Sequence, residues 1–143
     1  MRSTNTILLL SARREMNRRI GMMSREIKFR AWHPIKGMTT TPILQRSDYT
    51  GTVRCDGFDK EGNLLQLDLM QFTGMKDKNG VEIYEGDIVY VAGAGNCKVK
   101  WDECHAGWIF DNKKEAYDYQ EVIEGIESIV GNIYENPHLI KCA

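Results

Sequence analysis

The sequence predicts a mainly β domain of short antiparallel strands, and three observations carry that prediction. Apolar residues recur at every second position in several stretches, glycine-centred turns separate those stretches, and no long stretch keeps a helical period. Arg25–Trp32 alternates cleanly, with Ile27, Phe29 and Ala31 on one face and Lys28, Arg30 and Trp32 on the other. Pro34 ends that strand, because proline brings no N–H to a ladder. From 36 to 62, Gly37, Gly51, Gly57 and Gly62 punctuate two short expected strands, Met38–Leu44 and Gly51–Phe58.

Leu65, Leu67 and Leu69 alternate with Gln66 and Asp68, whereas Met70 and Phe72 take the opposite parity. A bulge near Leu69-Met70 is expected to absorb that change, and Gly74 to end the element. In Lys76-Asp77-Lys78-Asn79-Gly80 the Asn-Gly pair predicts a type I′ turn, which needs positive φ at both central residues. Val81 and Ile83 resume the alternation before Tyr84-Glu85-Gly86-Asp87. Ile88–Val91 is apolar on both parities and reads as a central strand covered on two sides. After a turn at Gly93-Ala94-Gly95-Asn96, Val99 and Trp101 alternate with Lys98 and Lys100, and Trp108–Phe110 is the expected partner strand. Asp111-Asn112 is expected to cap a short helix across Lys113–Ile123, with Ala116, Tyr119 and Ile123 on one face. Ile126–Tyr134, interrupted by Gly131, reads as the last strand and is closed by Asn136-Pro137.

A length of 143 residues fits one domain with a modest core. With 42% hydrophobic and 27% charged residues, the composition is that of an ordinary soluble globular protein. No apolar run approaches the roughly 20 residues that span a bilayer, so no membrane partner is expected. The net charge of −1 hides an asymmetry. Residues 1–22 hold Arg2, Arg13, Arg14, Arg18 and Arg19 against Glu15 alone. The remaining 14 basic and 19 acidic residues therefore leave a net of −5. A mildly acidic domain argues against binding that tracks phosphates. Cys55, Cys97, Cys104 and Cys142 form no C-x-x-C pair, so reduced thiols in a cytoplasm are the default expectation.

The first 22 residues read as a leader outside the domain at 23–143. The run Ile7–Leu10 is shorter than the roughly 7–15 residues of a signal-peptide core, and Arg13-Arg14 follows at once. Arg18-Arg19 can be encoded by AGG-AGG, a ribosome-binding sequence, with Ile20-Gly21 as spacer before Met22. We expect translation to start at Met22 or Met23; a disordered tail is the alternative. The nucleotide sequence checks it, since CGN codons at Arg18 and Arg19 would remove the argument.

Three segments together resemble the YopX family, small proteins of bacteriophages and prophages. They are Arg25–Trp32, Leu69–Val89 with its Tyr84-Glu85-Gly86-Asp87 centre, and Ile129–Pro137. The resemblance covers nearly everything after Met23. His33 departs from it, standing where an acidic residue usually follows the tryptophan, and 36–62 and 103–125 match no family pattern. The resemblance implies a barrel-like portion and a phage-related origin, with no established activity and no catalytic residues. The strand pattern alone leaves a small barrel or a sandwich open; with the resemblance, the fold class expected is a small SH3-like antiparallel barrel with extra strands and one short helix.

Each candidate chemistry has a simpler structural reading. Glu82, Glu85 and Asp87 would suit Mg²⁺ or acid–base work, but a sharp turn that launches a strand explains the same residue types. Cys97, Cys104 and His105 offer three zinc ligands without a knuckle spacing. Cys104 and His105 are sequence neighbours whose side chains, if the segment is a strand, point to opposite faces, so they are not expected to pair as nucleophile and base. His33 and His138 lie beside prolines and read as surface residues. No nucleophile elbow or phosphate loop is present. No enzyme, metal or cofactor is expected. The candidate contacts are Lys28, Arg30, Trp32, Lys98, Lys100 and Trp108, with Tyr134 as a further exposed aromatic. The function they point to is non-enzymatic binding of a protein partner or a second copy, or alternatively of single-stranded nucleic acid on a small barrel.

Overall fold

The computed structural model describes residues 26–46 and 52–140. The leader, the alternative starts at Met22 and Met23, and Cys142 lie outside the described residues. In chain order the elements are β1 (Phe29–His33), β2 (Gly37–Thr39), β3 (Leu44–Arg46), β4 (Val53–Phe58), β5 (Leu64–Lys76), β6 (Glu82–Tyr84) and β7 (Asp87–Val91). They continue as β8 (Gly95–Asp102), β9 (Gly107–Asp111), β10 (Ala116–Asp118), the single-turn helix α1 (Tyr119–Val122), β11 (Ile126–Asn132) and a 3₁₀ turn at Pro137–Ile140. Two antiparallel sheets result. One runs β2-β1-β5-β4-β3, with β6 also paired to β5; the other runs β10-β9-β8-β7-β11. The expected mainly β class holds, but no closed barrel forms: β10 and β11 are opposite ends of an open path.

The second sheet holds the larger core. Val89, Val91, Cys97, Val99 and Phe110 project from alternate positions of β7, β8 and β9, and Ile83 and Val122 complete the cluster. Burying one such side chain contributes roughly 1.5–3 kcal/mol before ordering costs. Tyr90 is the one residue of β7 left exposed, so the central-strand reading of Ile88–Val91 holds for its other members. A smaller cluster of Ala31, Cys55 and Leu67, flanked by Leu65 and Leu69, belongs to the first sheet.

β5 links the two. Its thirteen residues pair with β4 through Leu64–Leu67 and with β1 through Asp68–Gln71, with no register shift at Leu69-Met70. The expected bulge is absent there. The parity change arises because Leu65, Leu67 and Leu69 serve the smaller cluster on one face. Met70 and Phe72 are buried on the other face, where the Sδ of Met70 lies 3.2 Å from where a Cβ on Gly86 would sit. Gly74 does not end the strand either. It takes φ +85° inside β5, within the Phe72–Lys76 stretch where the ladder with β6 shifts register.

The Asp77–Gly80 turn also differs from expectation. Gly80 has φ +81° but Asn79 does not have positive φ, so the turn is not type I′. The Gly80 N–H donates to Asp77 O and the Asp77 N–H to Val81 O, the pattern of a turn followed by a glycine bulge. Asp77 explains the preference. Its Oδ1 accepts from the N–H groups of Asn79 and Val81, and its Oδ2 from the N–H of Ile129, fixing the hairpin tip to β11. The expected helix over Lys113–Ile123 shrinks to α1, since Asp111 and Asn112 spend their side chains on turn amides at 113–115. Asp118 is the cap: it accepts from the Glu121 N–H while Glu121 accepts from the Asp118 N–H.

Gly131 admits no side chain. A Cβ there would lie 2.5 Å from Oδ1 and 2.9 Å from Cβ of Asn136, so rotating the asparagine gives no relief. Gly131→Ala is expected to cost about 1–3 kcal/mol in urea unfolding. A loss below a few tenths would show that the 131–136 turn yields freely.

Candidate functional site

The site is built on the Tyr84–Asp87 turn. Gly86 takes φ +84°, its N–H donates to Val99 O, and its carbonyl accepts from the Ile133 N–H. One glycine thus joins β6 to β8 and to the segment after β11. Asp87 Oδ2 accepts from the Tyr84 N–H at 2.8 Å, the local turn bond that this residue type favours. Its other oxygen faces β1, where Arg30 Nη2 donates at 2.7 Å and also reaches Glu85 O at 3.3 Å. The guanidinium lies over the Tyr84 ring, 4.8 Å from its centroid. Both partners are desolvated, with side chains 11% and 3% exposed. Burial pushes the Asp87 carboxyl above the ordinary carboxylate value, with the Arg30 charge and the Tyr84 amide pulling the other way.

One row along β1, Lys28 donates to Glu82 at 2.5 Å, meets Glu26 at 3.2 Å and stands 4.6 Å from the centre of the Phe72 ring. The Glu82 hydrogen bond raises the Lys28 ammonium above its ordinary value. These two ion pairs floor a cleft of about 560 Å³, within the range typical of ligand sites. Met38 and Thr40 wall one side; Ile129, Gly131 and Asn132 wall the other. The two walls come from the end strands of different sheets, β2 with Thr40 just past it and β11, and Met38, opposite Trp32 in the ladder, shares the sheet face that carries Lys28 and Arg30.

The family model described as YopX protein matches residues 28–141, which include every residue lining this cleft. The chain belongs to the YopX family. Among solved structures, the crystal structure of protein EF1440 from Enterococcus faecalis is similar at 24% identity and a TM-score of 0.50. The match covers 82% of this chain and 100% of that one, and it shows the fold alone. No curated protein matches the chain.

This YopX protein places the six sequence-derived contact residues in three locations. Lys28 and Arg30 enter the cleft with their charges already paired. Trp32 stacks on Tyr134, rings 5.4 Å apart and 15° from parallel, so both aromatics are half-buried and tie β1 to the end of β11. Lys98 and Lys100 lie on β8 away from the cleft, and Lys100 pairs with Asp111 at 3.0 Å. Trp108 is opposite Trp101 in the β8–β9 ladder, on the other face from the two lysines, with the rings edge to face at 5.1 Å. The half-exposed ring of that pair is Trp101, which sequence reading did not single out. Met38, Tyr84 and Asn132 were missed as cleft residues too. Only the Tyr84 turn carried a local signal, and nothing in the sequence announced that β2 and β11 end beside it.

The other candidate chemistries separate in space. Among the described residues no three His, Cys, Asp or Glu side chains are placed to hold a metal. Cys97 is buried in the YopX core, where burial pushes its thiol up to about 11, while Cys104 is exposed in the β8–β9 turn. His33 is not a surface residue. It is 5% exposed, its Nδ1 accepts from the N–H groups of Ile35 and Lys36, and its Nε2 therefore donates to Phe58 O.

His105 pairs with Asp102 rather than with Cys104; the pair raises the imidazole and lowers the carboxyl relative to their ordinary values. The stabilisation linked to His105 is complete below its ordinary value of 6.5 and fades as pH rises through the raised one. That linked to Asp102 is complete above 3.8 and fades as pH falls through the lowered one. NMR titration is expected to find the His105 midpoint above 6.5, returning toward 6.5 in Asp102→Asn; an unchanged midpoint would remove Asp102 as the cause.

Proposed function

We propose that this YopX protein is a non-enzymatic accessory protein of phage or prophage origin that acts in the bacterial cytoplasm by binding a protein partner. The observation that carries the reading is the charge balance of the cleft. Lys28 is held by Glu82 and Glu26, and Arg30 by Asp87, so the two cations best placed to meet a ligand are already neutralised. A phosphate-binding groove needs cations free to replace counterions. The same pairs engage the carboxylates that would have served as acid and base, and Glu85 is turned to the Gln71 N–H. Apolar surface supports a protein partner: Phe58 and Leu64, cross-strand neighbours at the β4–β5 tip, are 58% and 60% exposed, and Ile43 is 79% exposed.

An SH3-like topology is part of the proposal. β7 to β10 form a meander, α1 follows, and β11 returns to pair with β7, the connectivity of a small barrel left open at one seam.

Nucleic-acid binding is the second reading, favoured by the half-exposed Trp101 on the same hairpin as Lys98 and Lys100. A mobility-shift titration with single-stranded DNA at low salt separates the two. No shift is expected; a shift that weakens steeply with added salt and is lost in Lys98→Glu/Lys100→Glu would replace the protein reading with the nucleic-acid one. Sedimentation of the free protein at rising concentration reports whether the partner is a second copy.

A further inference from the structure

We infer that a second, smaller pocket, between the 36–43 segment and β4, seats one bulky uncharged side chain of the protein partner, while a neighbouring carboxylate of that partner meets Lys36. This inference rests on the protein-binding reading and names the chemistry of the contact. Three observations converge on it.

The first is a buried floor beneath an apolar mouth. The pocket has a volume of about 240 Å³ and shares only Met38 with the larger cleft. His33, Cys55 and Leu67 line it and are all buried. A Cβ on Gly57 would lie 3.0 Å from the His33 ring and 3.1 Å from Leu67, so the bare glycine lets those two groups close over β4. Ile43, also lining, is 79% exposed, and Phe58 with its cross-strand neighbour Leu64 continues the apolar surface outward. The volume falls below the roughly 300–1,000 Å³ of small-molecule pockets and suits a single side chain. Interfaces concentrate affinity in anchors of that kind.

The second is that the floor offers a charged group nothing. Both ring nitrogens of His33 are engaged by main-chain groups, Nδ1 by the Ile35 and Lys36 N–H and Nε2 by Phe58 O. The Asp56 carboxylate pairs with Arg54 at 3.3 Å. Burial, and after it the Asp56 charge, raises the Cys55 thiol above its ordinary value, so that wall stays protonated and behaves as a small apolar group. A charge pushed into this space would lose its water without a replacement partner, whereas an apolar side chain loses nothing. The third is the charge at the mouth. Lys36 is exposed there, and among the described residues no carboxylate pairs with it. With Asp56 matched by Arg54, the uncompensated charge beside the pocket is positive, the opposite of the domain as a whole. An acidic residue next to the anchor complements it, which fixes orientation and speeds encounter more than it adds affinity.

The test uses the full chain and a displayed library of linear random peptides, followed by synthetic copies of an enriched peptide. Enriched sequences are expected to place a bulky apolar residue next to Asp or Glu. Affinity is expected to fall about tenfold or more in Ile43→Asp and about threefold or more in Lys36→Glu. Val81→Glu, in the separate cleft, is expected to leave it unchanged. All three positions are exposed, so circular dichroism is expected to show the fold intact. Replacing the acid of the peptide by lysine is expected to restore binding to Lys36→Glu. In NMR spectra the Lys36 and Gly57 amide signals are expected to move with added peptide while those of Arg30 and Glu85 stay. Peptides that bind Ile43→Asp and Lys36→Glu as tightly as the native chain, or that carry no acid beside the apolar residue, overturn the inference while leaving a protein partner in place. A library that enriches nothing overturns it as well. Binding of single-stranded DNA in place of peptide would instead overturn the protein-binding reading beneath it.

Discussion

Asp87→Ala is expected to lower the unfolding free energy by about 3–5 kcal/mol, the loss typical when one partner of a buried ion pair is removed. The change leaves the Arg30 side chain, 11% exposed, with the 3.3 Å hydrogen bond to Glu85 O and the Tyr84 ring as the contacts of its charge. It also strips the Tyr84 N–H of its acceptor. Replacing both partners by apolar residues, Arg30→Met with Asp87→Leu, is expected to recover most of the loss, because no charge is then stranded. The Lys28–Glu82 pair supplies the contrast. Its side chains are 30% and 35% exposed, so solvent screens it, and Glu82→Gln is expected to cost less than about 1 kcal/mol. Urea unfolding of the three variants decides the matter. If Asp87→Ala costs no more than Glu82→Gln, the Arg30–Asp87 pair does not hold β1 against the turn.

Phe110→Ala carries the second large effect, about 3–5 kcal/mol. Phe110 is fully buried on β9, opposite Val99 and Tyr117, in the middle of the larger cluster. β9 pairs on both sides there, which leaves little room for the walls to collapse into the void. Leu67→Ala is expected near the lower end for its class, about 2 kcal/mol, because Leu67 keeps 7% exposure and its cluster has only two other buried members. Thermal unfolding measured for both variants would show the order. A larger loss at Leu67 would move the main source of stability to the first sheet.

Much of the architecture was legible because it was written in short-range patterns. The alternation of Val99 and Trp101 with Lys98 and Lys100 placed β8 and its faces, and Gly86 with Asp87 announced the turn that β7 leaves from. What failed depended on partners far along the chain. Asp87 read correctly as a turn residue, but its bond to Arg30 spans 57 positions and leaves no local trace. His33 looked like a loop residue beside Pro34; its burial depends on Phe58 O, supplied by another strand. The parity switch at Leu69-Met70 is visible in the sequence, but one sequence cannot tell a slipped strand with a bulge from a strand that packs against two sides in turn. The helix near 113–123 was misplaced for another reason. Asp111-Asn112 and Asp118 are all competent caps, and the Glu121 three positions after Asp118 was the discriminating sign.

The position of β5 has a consequence for how the cleft works. β1 and β6 both hydrogen-bond to it, through Phe29–Trp32 and through Glu82–Tyr84. Lys28, Arg30, Glu82 and Tyr84 are therefore presented by strands registered on one common template. The floor is preorganised, so any ligand the cleft takes would find it assembled and would not have to gather it. The entropy lost on association would then fall mainly on that ligand, and differences in affinity among ligands would be read in how slowly they leave.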